Sequence, residues 1–315
     1  MTTWDRRYTD RVKLLVDILP TLASEKRFAL KGGTAINLFE HDLPRLSVDI
    51  DLAWIPVSDF ADDARLIAGA LEQMAATLRM RPLQLQVQCS ASALTGSTTR
   101  LIASRGRARV QIETTPVMRG VVHPVRNMVV RPQVEEAFGF ASVQVMGFAD
   151  LYAGKLSAAL SRQHPRDMFD VGLLLEDARA DDTLWRTFLV YLTCSPKPAW
   201  EMLSPRLPKD FSATFDTHFR GMTAEPISVE RLLEIRQRLL FRVIDWLDEP
   251  SCAFLRSVED EKPDFNLISL SQAAELPGVR RKLHNLRQRS AAKRLADRDA
   301  LDQSLDQILA QSKPE

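Results

Sequence analysis

Residues 28–54, "FALKGGTAINLFEHDLPRLSVDIDLAW", confine a strand, a two-glycine turn, a helical run and a second strand to one short stretch. "RFALKGG" reads as a short strand ending in a turn, since glycine adopts backbone angles that other residues avoid. "TAINLFEHDL" returns to helical spacing, and Thr34 is expected to cap it. In "SVDIDLAWI" the residues alternate, so Val48, Ile50 and Leu52 point one way and Asp49, Asp51 and Ala53 the other. Two carboxylates on one strand face repel each other, so this face calls for a positive charge between them.

The rest of the chain sorts into two patterns. Residues 10–23 and 59–80 have the apolar spacing of amphipathic helices. "LQLQVQCS", "TTRLIASRG" and "RARVQIETTPV" read as extended runs. From Phe148 onward the pattern turns helical, in "FADLYAGKLSAALSRQ", "PRDMFDVGLLLEDA", "TLWRTFLVYLTC" and roughly 228–247. The expected class is α+β: a domain over 1–147 with a small mixed sheet, a mostly helical domain over 148–262, and a linker with a basic terminal helix over 263–315. The 315 residues suffice for two such domains. Pro263, Pro277 and Gly278 make 261–278 a loop, and 279–311 reads as one long polar helix.

The chemistry concentrates in the first half. Asp49 and Asp51 share a strand face, and Glu113 shares one with Arg109 and Gln111. If those strands pair, three carboxylates converge, which suits Mg²⁺, a hard ion that prefers oxygen ligands and phosphate partners. Gly32 and Gly33 let the backbone approach a phosphate, the next N–H groups point at it, and Thr34 adds a hydroxyl. A nucleoside triphosphate with its metal therefore answers the paired aspartates. In the second half, Lys155 and Arg162 lie on nearly one helix face. Asp167 and Asp170 share another after Pro165, where dipole compensation alone would also place acids. His164 is read as a boundary residue.

The order strand, Gly-Gly-Thr, helix, spacer and Asp-x-Asp resembles the polymerase β-like nucleotidyltransferase superfamily. "LKGGTAINLF", "RLSVDIDL" and "DLYAGKLSAALSRQHPRDMFDV" together resemble the AbiEii/AbiGii toxin family of nucleotidyltransferases, which includes the MenT toxins. The resemblance runs from about residue 28 to 176. It implies a polymerase β-like nucleotidyltransferase domain over 1–147, with the helical domain completing the active site. It implies a phosphate turn at Gly32, Gly33 and Thr34, with Lys31 reaching the active site. It implies metal ligation by Asp49 and Asp51, with Glu113 where the wider superfamily has its third carboxylate. Lys155 would contact nucleotide phosphates, and Arg166, Asp167 and Asp170 would form the last motif beside the nucleotide; Asp49, Asp51, Lys155 and Asp167 are the expected catalytic residues. Ser47 stands where a modification could exert control.

The same resemblance implies a toxin of a toxin–antitoxin or phage-defence pair, with a cognate antitoxin as partner. Its expected reaction is Mg²⁺-dependent transfer of NMP from an NTP to RNA, foremost the tRNA 3′ end, blocking translation. A protein hydroxyl or small acceptor is the alternative, and an inactive partner-binding module the third reading. The formal net charge is +1, so nucleic-acid affinity must come from local patches. Arg280, Arg281, Lys282, Arg287 and Arg289 lead a basic run that also holds Lys293, Arg294 and Arg298. Arg105, Arg107 and Arg109 add to it. Cys89, Cys194 and Cys252 lack metal or disulfide spacing and are expected as small buried hydrophobes of a reducing cytosol. The opening "MTTWDRRYTDR" is not that of a signal peptide, and no stretch has the length and apolarity of a membrane span, so a cytoplasmic protein is expected.

Overall fold

The computed structural model describes Trp4 and residues 6–311. The outermost residues of the expected first and last segments, 1–3, 5 and 312–315, lie outside them. The chain forms two compact units. The first runs to Gly147 and also takes in Arg220–Pro226; the second holds Phe148–Phe219 and continues from Ile227.

The first unit is built on a seven-stranded mixed sheet. Its strands are β1 (Phe28–Lys31), β2 (Asp49–Trp54), β3 (Gln86–Ala91), β4 (Thr98–Arg105), β5 (Ala108–Arg119), β6 (Arg126–Val129) and β7 (Ser142–Val145). They lie in the order β3-β4-β5-β2-β1-β7-β6. β2 pairs parallel with β5 and β1 parallel with β7, and the other pairings are antiparallel. The sheet is accompanied by the helices α1 (Arg6–Ala23), α2 (Gly32–Ala35), α3 (Phe60–Arg79) and α4 (Pro132–Phe138). α1 packs on β5 and β7, and α3 on β3 and β4. Alternation drives this packing. Val110 and Ile112 of β5 are buried on one face, while Gln111 and Glu113 remain partly open on the other. The strands β6 and β7, only four residues each, carried too little period for the sequence reading to find.

Two local expectations change. The helix after the glycine turn begins at Gly32, with Lys31 at its cap and no side-chain cap bond, and it continues as a π-helical turn over Ile36–Glu40. Thr34 is therefore inside the helix rather than its cap. The segment 220–226 also returns to the first unit by backbone pairing. Leu46 N donates to Met222 O at 2.7 Å and Ala224 N to Pro44 O at 2.9 Å. Two such bonds leave no periodic trace in sequence.

The second unit is helical: α5 (Phe148–Arg162), α6 (Pro165–Leu174), α7 (Asp182–Thr193), α8 (Ala199–Leu203), α9 (Phe211–His218), α10 (Val229–Asp245), α11 (Glu249–Glu259), α12 (Pro277–Arg287) and α13 (Ala291–Gln311). The expected loop over 261–278 contains two 3₁₀ turns, Phe265–Ile268 and Ser271–Glu275. Phe265 and Ile268 are buried, with the Phe265 ring 5.1 Å from that of Phe254, so apolar burial orders this stretch. The expected long terminal helix is two helices, because α12 ends at Arg287 and Ser290 Oγ accepts from Lys293 N at the start of α13. Of the cysteines only Cys252 is buried; Cys194 is partly exposed and Cys89 lies exposed on β3. Among the described residues no helix is long and apolar enough to cross a membrane.

Candidate active site

Gly32 sits at φ +72°, a conformation that side chains rarely adopt. It also lies against β2: a Cβ built there would stand 2.3 Å from Asp51 Oδ2. At Gly33 a Cβ would meet Arg45 Nη2 at 2.6 Å and Ser47 Oγ at 3.1 Å. Both glycines are required by the polar side chains that run beneath the turn. Thr34 is fully buried, and its Oγ1 lies 2.5 Å from the Asp49 carbonyl and 2.9 Å from Ser47 Oγ. A carbonyl can only accept, so Thr34 donates to it and Ser47 is left to donate to Thr34. The hydroxyl expected to face a phosphate instead ties the turn to β2. Ser47 is buried in the same contact.

The register of the sheet then aligns charges. Lys31, Asp51, Glu113 and Arg100 are successive partners across β1, β2, β5 and β4. Registered neighbours share a face about 4.8 Å apart, so the two adjacent carboxylates are flanked by a cation on each side. Glu113 Oε2 accepts from Gln111 Nε2 at 2.7 Å and lies 3.6 Å from Arg100 Nε. Asp49 Oδ1 lies 3.3 Å from Arg11 Nη2, whose Nε donates to the Arg109 carbonyl at 2.9 Å. The Asp51 and Lys31 side chains make no hydrogen bond or ion pair among the described residues.

In the second unit, Lys155, Asp167 and Asp170 meet. Lys155 Nζ lies 3.0 Å from Asp167 Oδ1 and 2.8 Å from Asp170 Oδ2, with side chains 6%, 1% and 0% exposed. Arg162 approaches the same Asp167 by Nε at 2.6 Å and Nη2 at 3.0 Å, a bidentate contact. Burial alone would raise the Asp167 pKa, but Lys155 and Arg162 overcome it and hold the carboxyl well below its usual range. It is a permanent carboxylate that fixes two cations. His164 caps α6, its Nδ1 accepting from Arg166 N at 3.1 Å, and burial followed by the Arg166 charge pushes its pKa down to about 4. Arg166 is partly exposed on α6.

Residues 13–274 match the family described as nucleotidyl transferase AbiEii toxin, type IV TA system. The chain belongs to this AbiEii nucleotidyltransferase toxin family. Among solved structures it is similar to MenT4, the nucleotidyltransferase toxin Rv2826c from Mycobacterium tuberculosis H37Rv. The TM-score is 0.61 at 14% identity, over 90% of this chain and 95% of that one. At that identity the likeness shows a shared fold. No curated protein matches the sequence. Membership makes the chain a nucleotidyltransferase toxin and implies an NTP substrate and an antitoxin partner.

Nucleotidyltransferases generally use divalent metals, and the chemistry of the carboxylates at this site is of the hard-oxygen kind that such an ion prefers. Asp49, Asp51 and Glu113 supply hard oxygens from one sheet face, and the Asp51 carboxylate has no competing partner among the described residues. As they stand, no three acids among the described residues close into a metal-holding group. Arg11 draws on Asp49, while Gln111 and Arg100 draw on Glu113.

Arg11 and Arg45 are outside the expected site. Arg45 was legible, because Arg45, Ser47, Asp49 and Asp51 follow one period of two. Arg162, which with Lys155 is expected to offset triphosphate charge, pairs with Asp167. Arg11, on α1, has no local signal linking it to Asp49. The basic terminal run differs most from expectation. Lys282 is buried, donating to the Ser195 and Lys197 carbonyls at 3.1 and 3.0 Å beyond the end of α7, so it is no surface cation. Arg280 pairs with Glu275, Arg287 and Arg294 with Glu261, Arg289 with Asp297, and Arg298 with Asp260. Arg281 is exposed and has no partner among the described residues.

Proposed function

We propose that this AbiEii toxin transfers NMP from an NTP to RNA, foremost a tRNA 3′ end, with Mg²⁺, blocking translation in the cytoplasm until its antitoxin intervenes. The acceptor hydroxyl forms a new bond to the α-phosphorus, the bond to pyrophosphate breaks, and the hydroxyl proton is released. The observation that carries this reading is the contact of the Gly32 turn with the Asp51 carboxylate. A turn with no room for a Cβ, directly against an acid with no partner among the described residues, is suited to phosphates on one side and a cation on the other.

Asp49, Asp51 and Glu113 would hold Mg²⁺, which when bound neutralises phosphate charge and activates the attacking hydroxyl. Gly32 and Gly33 admit the phosphates to the backbone. Thr34 and Ser47 hold the turn in register with β2. Lys31 brings a cation beside Asp51. The roles of Lys155 and Arg166 toward nucleotide phosphates rest on the family resemblance; Asp167 and Asp170 hold the Lys155 side chain in place. Ser47, buried against Thr34, would disrupt the turn if it were modified, which makes it a point of control.

The test incubates the purified protein with total tRNA, Mg²⁺ and each of four labelled NTPs, beside an Asp49→Ala control. Label on tRNA, lost in the control, is the expected result. Label on a protein band instead would replace the acceptor, and a fully active Asp49→Ala enzyme would overturn the metal site.

A further inference from the structure

Beyond β5 the sheet face that carries Asp49 and Asp51 continues across two more strands. The register Glu113–Arg100, Gln111–Ile102 and Arg109–Ser104 places those side chains on that face, and Gln88 and Gln86 of β3 follow opposite Ile102 and Ser104. Arg100, Arg109, Gln86 and Gln88 are exposed. β4 and β5 are joined at Gly106 and Arg107, with Gly106 at φ +60°, a tight hairpin that holds Arg107 out at its tip.

The cations of this hairpin differ from those of the terminal helices in what they touch. Arg107 and Arg109 are exposed, and their side chains have no partner among the described residues. Arg105 pairs with Asp17, and Arg100 lies at 3.6 Å from Glu113, a loose surface contact. In the terminal run Arg280, Arg287, Arg289, Arg294 and Arg298 face acids and Lys282 is buried, which leaves Arg281 and Lys293, on helices of the second unit, as its unpartnered side chains among the described residues. A polyanion gains most where it need not displace an existing ion pair, because counterion release requires an unneutralised charge.

We infer that the open face of β3, β4 and β5 is the track along which the RNA acceptor strand reaches the aspartates, with Arg107 and Arg109 as its phosphate contacts. This rests on the RNA-acceptor reading above. Arg109 lies two residues from Gln111, the register partner of Asp49, so it stands about 7 Å along β5 from the level of the aspartate. The face is continuous with the candidate site and basic where it leaves it. It carries amides and hydroxyls but no aromatic residue, so the track should read backbone charge rather than stacked bases.

The test measures binding of a fluorescein-labelled single-stranded RNA to the full-length protein by anisotropy over a salt series. It compares the parent with Arg107→Gln/Arg109→Gln, with Arg109→Gln alone, and with Arg281→Gln/Lys293→Gln from the terminal helices. Loss of two phosphate contacts should flatten the log–log salt slope by about 1.4 and weaken binding roughly 25-fold at about 0.1 M salt. The single variant should lose about half of that slope. The terminal pair should change neither. Binding of labelled NTP with Mg²⁺ should be the same in all variants, which separates this inference from the nucleotide site. An unchanged slope in the hairpin double variant, or a slope lost only in the terminal pair, overturns the track. A track that behaves as expected in a protein that transfers no label leaves this inference standing and removes the proposed reaction instead.

Discussion

Gly32→Ala tests the central contact of the candidate site. Alanine at φ +72° costs roughly 1–2 kcal/mol in backbone strain. Its Cβ would also stand 2.3 Å from Asp51 Oδ2, where ordinary contact begins at 3.4 Å, so turn and carboxylate must part by about 1.1 Å (3.4 minus 2.3). A displacement of about 1 Å at a reacting centre is worth on the order of 10²-fold in rate. Gly96→Ala supplies the control. Gly96 has nearly the same φ, +65°, and nothing within 4 Å of a built Cβ. It should lose a similar 1–2 kcal/mol of stability and no activity. The assay pairs initial rates of labelled NMP transfer with urea denaturation of both variants. A Gly32→Ala enzyme within about threefold of the parent would show that Asp51 tolerates the shift. Equal rate losses in both variants would show that strain, not the approach to Asp51, sets the effect.

Asp170→Asn leaves the buried Lys155 with one carboxylate in place of two, and breaking a buried ion pair of this kind should cost about 3 kcal/mol. Arg162→Ala, with the arginine side chain 65% exposed, should cost under about 1 kcal/mol; denaturant titrations that rank the two the other way round would refute the triad as the anchor of α5 on α6. The pH response follows from His164. Its folded pKa, about 4, is below its ordinary 6.5, so the unfolded chain takes up the proton first. The stability it contributes is complete above about pH 6.5 and drains away as pH falls toward about 4. His164→Asn keeps a capping acceptor and should remove that part of the pH dependence. An unchanged stability–pH curve in this variant would place the titration elsewhere.

What was legible in the sequence was whatever one strand or one helix writes by itself. The alternation of "SVDIDLAW" gave β2 and both of its faces. "ARVQIET" gave the face of Glu113, and only the condition that β5 pair with β2 was left open, which the register of Asp51 opposite Glu113 supplies. Pro165 marked the start of α6. The unread features depend on partners remote in the chain. Arg11 reaches Asp49 from α1, Met222 pairs with Leu46 from the far side of the helical insertion, and Thr34 looked like a cap because its buried acceptor, the Asp49 carbonyl, belongs to another element.

Charge shows the difference most sharply. By count, 279–299 is the most basic part of the chain and the hairpin at Arg107 is unremarkable. A count weighs every cation equally, whereas the field outside a folded protein is set by those left unneutralised. Glu261 alone engages two of the terminal arginines, and Lys282 is buried on backbone carbonyls. Arg107 and Arg109 are the exposed cations that the β4–β5 hairpin leaves without a partner among the described residues, on or at the tip of the face that leads to Asp49. Where a polyanion can bind depends on which acids the fold brings to its cations, and those pairings close only in the folded chain: Glu261 and Arg294 are 33 residues apart, and Asp17 and Arg105 are 88 apart.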